Sequence, residues 1–303
     1  MLHPITFSIP KEKLVSKMTA KTKLISDLIP GDKSTYIYDT EESYYAEYKK
    51  SLFAVTMKKG GWDCLRHYEI LACGTVPLFA GIENCPKNTL ALMPKQMFME
   101  ANNLFNSLKR KNFNINDQDI KEYTTIRKHL LDHTKKHLTT EAVASYVLEK
   151  SNNKNAKRVL FLSGSTEPDY LRCLTLHGFK SLYGKECHDY PKVPHLYETE
   201  DVGLYGNIYG KGITYTNNLR PETHDDSLDE SVIDDIKNKK YDVVVYPSYH
   251  RGMPYYDLVT KAYKPEEIIL LCGEDIDHMS DYHNCDYNIW VEKGHHVFVR
   301  ELI

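Results

Sequence analysis

Lys58-Lys-Gly-Gly-Trp-Asp-Cys-Leu-Arg-His-Tyr-Glu-Ile-Leu-Ala-Cys-Gly-Thr-Val-Pro77 reads as the middle of one strand–helix–strand unit. An apolar strand, Phe53–Met57, leads into it. The chain turns at Gly60-Gly61, continues as a helix, and stops at Gly74, a C-cap glycine placed just before a second strand at Val76–Phe79. A short strand, a turn, a helix and another apolar strand in close succession is the pattern of a parallel α/β layer.

The same alternation extends in both directions. Ahead of the unit, Ile5–Ile9 and Thr35–Tyr38 read as strands, and about 11–28 and 41–50 as helices. Behind it come helices at about 94–109, 117–138 and 140–150. The polar run Ser151 to Lys157 carries no periodicity and marks a domain boundary. The alternation then restarts. Arg158–Gly164 is a strand ending in a glycine turn, and a helix follows over 169–183. Asp242–Tyr246 and Glu267–Cys272 are further strands, flanking a helix at about 255–263. Asn288–Val291 and His296–Leu302 read as two closing strands, and 191–212 as a Tyr- and Gly-rich surface excursion. The fold class is therefore α/β, with two Rossmann-like domains, 1–150 and 158–303, facing a central cleft.

Composition narrows the function classes. The chain has 303 residues, 41% hydrophobic and 27% charged, which suits a folded protein and excludes a disordered one. No apolar run approaches the ~20 residues of a membrane span, and Met1–Lys13 has no apolar signal core, so a cytoplasmic protein is expected. A net charge of −3 argues against a large uniform nucleic-acid face. The seven cysteines show no CxxC spacing and read as reduced thiols. His133 and His137 are four apart, but the glutamate of an HExxH motif is missing.

Chemistry in an open parallel sheet sits beyond the carboxyl ends of the strands. The Gly60-Gly61 turn allows a phosphate to approach the backbone, and the helix behind it favours an anion. Arg66 and Glu69, three apart, share a helix face. They suit a pyrophosphate and a pair of ribose hydroxyls, or equally an internal salt bridge.

The Lys58–Pro77 segment resembles the donor site of GT-B fold glycosyltransferases, of the group 1 and exostosin-like kinds. In those enzymes a glycine-rich turn leads to a helix ending E-x-L-A-x-G-x-x-P, here Glu69 to Pro77, and the exostosin-like branch also has an arginine where Arg66 stands. The close likeness covers about twenty residues, and a looser one most of 1–150. It implies transfer of a sugar from a nucleoside diphosphate sugar to a glycan, protein, small-molecule or DNA acceptor. No cofactor or bound metal is implied. Donor-binding positions would be Lys59, Gly60, Gly61, Asp63, Arg66 and Glu69. Lys11 and Lys13 stand where the family places a phosphate clamp, or are solvated helix-start charges. Many relatives carry an acidic residue before the glycine turn where this chain has Lys58-Lys59. The order of the halves is the reverse of the usual GT-B order, so the resemblance implies a circular permutant with 151–157 joining the usual ends.

A catalytic base would come from loops after strands of the second half: Asp169, which also suits a helix N-cap; His250; and Glu274 or Asp275, in a run continuing to Asp277 and His278. Two alternatives stand beside the enzyme reading: a non-catalytic nucleotide-binding protein of the same fold, and a glycosyltransferase acting on DNA.

Overall fold

The computed structural model describes residues 1–17, 20–275 and 285–303. In chain order its strands are β1 (Leu2–Pro4), β2 (Lys23–Ile25), β3 (Ser51–Met57), β4 (Val76–Ala80), β5 (Val159–Leu162), β6 (Cys187–Tyr190), β7 (Val243–Tyr246), β8 (Ile268–Cys272) and β9 (His296–Val299). The helices are α1 (Glu41–Lys50), α2 (Leu65–Ala72), α3 (Lys95–Arg110), α4 (Asp117–His133), α5 (Thr140–Lys150), α6 (Tyr170–Tyr183), α7 (Ser227–Lys237), α8 (Tyr256–Ala262) and α9 (Tyr287–Glu292).

The strands form two parallel sheets. β2, β3 and β4 make one; the other runs β1-β9-β8-β7-β5-β6. In the larger sheet the chain passes from β5 to β6 on one side and returns to β7 on the other, so the order reverses between β5 and β7. That reversal is where α/β sheets open a ligand crevice. Gly164 and Gly252 meet there: a Cβ on Gly164 would lie 2.6 Å from the Gly252 carbonyl carbon.

Side chains alternate across the large sheet as a pleated strand requires. Val159, Phe161, Val243, Val245, Ile269 and Leu271 face one core. Leu160, Leu162, Val244, Tyr246, Ile268 and Leu270 face the other. The first core continues without a break through α5 and α6 to Phe53, Val76 and Phe79 of the small sheet. α5 and α6 approach closely at Gly178, where a Cβ would sit 2.6 Å from the carbonyl carbon of Thr140.

Several expectations are corrected. The first strand is Leu2–Pro4, not Ile5–Ile9. It pairs with β9, so it belongs to the sheet of the second half. Ile5–Ile9 is extended and buried but makes only an isolated bridge, Ile9 to Thr139. In place of a helix over 11–28 there is a 3₁₀ turn at Lys11–Lys13 and then β2, whose ladder with β3 overrides local helix propensity. Thr35–Tyr38 is no strand; Asp32 caps a 3₁₀ turn at Lys33–Thr35 by accepting from Ser34 N at 3.0 Å. Asn288–Val291 lies in helix α9. Cys272 and Cys285 are paired in a disulfide with Cα atoms 6.4 Å apart, and Cys64, Cys73, Cys85, Cys173 and Cys187 are free. Among the described residues no helix is long and apolar enough to cross a membrane.

Candidate functional site

A cavity of about 900 Å³ opens at the carboxyl ends of the strands. Its walls are the segments that leave those ends. Leu28 and Gly31 follow β2, and Lys59 to Glu69 follow β3. Pro168–Tyr170 follow β5, Arg251 follows β7, Gly273–Asp275 follow β8 and Arg300 follows β9. Ile208 to Tyr215, from the tyrosine-rich excursion, close one side.

The glycine turn is held from across the molecule. Glu301, fully buried just beyond β9, accepts from Trp62 N at 3.1 Å and Asp63 N at 2.9 Å. Arg300 donates to Glu301 at 2.9 Å, to Gly273 O at 3.0 Å and to Asp63 O at 2.5 Å, and it ion-pairs with Asp275. A Cβ on Gly61 would lie 2.7 Å from Glu301 Cδ, and one on Gly60 3.0 Å from Asp275 Cγ. Both glycines are needed for the close approach of these carboxylates. Two backbone N–H groups of the turn are spent on Glu301. Arg300 and Glu301 were not singled out from sequence; their signal was an adjacent opposite-charge pair at the end of an apolar strand.

α2 carries Arg66 and Glu69 into the cavity wall. Burial pushes the Glu69 carboxyl above its ordinary range, against donors Tyr44 Oη and Thr214 Oγ1, the latter at 2.7 Å. Among the described residues no salt bridge joins Glu69 to Arg66. The Arg66 guanidinium lies over the Tyr36 ring, 5.3 Å from its centre, and its buried Nε has no hydrogen-bond partner. Asp63 accepts from Phe7 N at 2.7 Å and Tyr68 Oη at 2.9 Å, and burial pushes its carboxyl up to about 7 although Arg300 and these donors oppose the shift.

On the opposite wall, Asp169 caps α6 by accepting from Arg172 N at 3.0 Å, and it also accepts from Ser248 Oγ at 2.7 Å. Glu274 lies 2.7 Å from His250 Nε2, and that bond, helped by Arg251, holds its carboxyl down at about 2 despite burial. A carboxylate so acidic is a weak base near neutral pH.

Lys59, Gly60, Gly61, Asp63, Arg66, Glu69, Asp169, Glu274 and Asp275 thus share one cavity, and His250 stands behind Glu274. Lys11 and Lys13 do not line it; Lys13 is ion-paired with Glu41 of α1. Asp277 and His278 lie outside the described residues. His133 Nε2 bonds the Leu92 carbonyl at 2.8 Å.

No protein-family model, curated protein or solved structure matches the chain.

Proposed function

We propose that the protein is a glycosyltransferase that binds a nucleoside diphosphate sugar in this cavity, in a GT-B-like arrangement of the two sheets. The observation that carries the reading is convergence. The Lys58–Pro77 segment and the loops of the larger sheet open on the same cavity, at the carboxyl ends of the strands of both sheets. Arg66 offers a guanidinium with an unused Nε for the diphosphate. Glu69 lies one turn further along α2, where each carboxylate oxygen keeps acceptor capacity for a ribose hydroxyl. Tyr36, Tyr38 and Tyr170 supply aromatic faces for a base or sugar. The pairing of β1 with β9 brings both ends of the chain to one sheet edge, as the permuted order requires.

A second reading, a nucleotide-binding protein without turnover, draws on the ties of the candidate bases. Asp169 caps a helix, Asp275 is held by Arg300, and Glu274 is held by His250.

Thermal unfolding with a panel of nucleoside diphosphates and their sugars tests the site. A ligand at 100 times its Kd stabilises the fold by about 2.7 kcal/mol. One nucleotide should raise Tm, and Arg66→Ala should abolish the rise. A panel that leaves Tm unmoved refutes both readings. A rise without any release of nucleoside diphosphate from the sugar donor, with or without acceptors, selects the second.

A further inference from the structure

A separate cluster lies between the edge strand β6 and the start of α7. The His224 side chain is fully buried. Its Nδ1 is held at 2.9 Å by Asp189 Oδ1, a buried carboxylate that also takes Lys180 Nζ at 2.7 Å and Tyr197 Oη at 2.9 Å. Its other nitrogen, Nε2, has no hydrogen-bond partner, although it is aimed at two carboxylates. Asp226 Oδ1 and Asp229 Oδ2 each lie 3.4 Å from it, and the three ligand atoms fall within 4.8 Å of one another. The second oxygen of Asp229 is fixed from behind by His188 Nε2 at 2.9 Å, whose Nδ1 is in turn set by Tyr241 Oη at 2.7 Å.

We propose that His224 Nε2, Asp226 Oδ1 and Asp229 Oδ2 form a binding site for a divalent ion of the zinc class. Metal bonds of about 2.0–2.2 Å to nitrogen and oxygen at a tetrahedral angle separate the two ligand atoms by roughly 3.4 Å. That is the spacing of His224 Nε2 from each carboxylate oxygen, too long for a good hydrogen bond. The surroundings have the form of a metal centre's outer shell. A carboxylate fixes the free nitrogen of the ligating imidazole, and a hydrogen bond fixes the spare oxygen of a ligating carboxylate. Asp226 has 83% of its side chain exposed, and its Oδ1 also lies 3.5 Å from Lys192 Nζ, a contact that the ion would replace. One imidazole with two carboxylates suits zinc and its neighbours better than a thiolate-loving or an all-oxygen ion. The site joins the segment at 224–229 to β6, and it uses no residue of the cavity described above.

The test is calorimetric titration of the full chain with Zn²⁺ after chelator treatment, for the wild type, Asp226→Ala and His224→Ala. Asp226 makes no capping bond to α7, so its replacement leaves the fold intact even if His224→Ala does not fold. The wild type should bind one zinc at this site, and Asp226→Ala should weaken that event at least tenfold, since loss of an outer-shell partner alone costs about 10–100-fold. Absence of binding by the wild type, or a change of less than tenfold in Asp226→Ala, overturns the assignment.

Discussion

Replacing Glu301 with alanine removes the acceptor of two backbone N–H groups, Trp62 and Asp63, and the partner of a buried Arg300. Deleting one member of a buried charge pair costs about 3–5 kcal/mol where the other is left uncompensated; Arg300 keeps Asp275 and two carbonyls, so the cost here lies toward the lower end. Gly61→Ala attacks the same contact from the other side. Its methyl carbon would sit 2.7 Å from Glu301 Cδ, so the carboxylate must leave its donors. The single change should therefore cost about 2–3 kcal/mol, the worth of charge-assisted bonds lost from a buried site. In the Glu301→Ala background that obstacle is gone. The remaining neighbour, Asp275 Oδ1 at 2.9 Å, is the tip of a side chain 55% exposed, and a small shift of that tip makes room for the methyl. Gly61→Ala should then add little, giving a coupling of about 2–3 kcal/mol in a double-mutant cycle. Urea unfolding of the four proteins measures it. Two costs that add to within about 0.5 kcal/mol would show that Glu301 does not hold the turn, and the account of both glycines would fall with it.

Glu47 is fully buried at the side chain and ion-paired to Lys23 at 3.0 Å and Lys50 at 2.6 Å, which with the Asp27 N–H hold its carboxyl down at about 2 despite burial. A lowered carboxylate stabilises the fold above the unfolded value and loses that contribution as pH falls. Wild-type stability should therefore drop between about pH 4.5 and 2, and Glu47→Gln should flatten the profile in that window; parallel profiles would contradict this. Gly178→Ala should destabilise the α5–α6 contact by about 1–3 kcal/mol through overpacking against the Thr140 carbonyl, read as a lower urea midpoint. An unchanged midpoint would mean that the two helices separate at no cost.

The parts of the fold legible in the sequence were those with a sustained period. α1 and α5 occupy the expected residues 41–50 and 140–150, and the β3–α2–β4 unit follows its strand, turn and glycine stop. Four-residue segments were harder. Asn288–Val291 is as apolar as a strand yet is helical, since a run of that length does not separate the two periods. β6 is Cys187-His-Asp-Tyr190, and only partners outside the strand make burial of His188 and Asp189 tolerable: Tyr241 and Asp229 for the first, Lys180 and Tyr197 for the second. In the cavity wall, the positions of Arg66, Glu69, Asp169 and Glu274 follow from the rule that loops after strands gather at one end of a sheet. The ties of those side chains do not. Thr214 reaches Glu69 across 145 residues, and Glu301 reaches Trp62 across 239. Local spacing holds no record of such pairs.

The pairing of β1 with β9 sets an order of events at the ribosome. Met1 N bonds the His295 carbonyl across a separation of 294 residues. Translation at about 5–20 residues per second places the emergence of β9 roughly 15–60 s after that of β1. For all of that interval β1 lacks β9, its ladder partner among the described residues, while β5 to β8 can already pair with one another. β1 can thus join the large sheet only once β9 has been made, although it precedes every other strand of that sheet in the sequence.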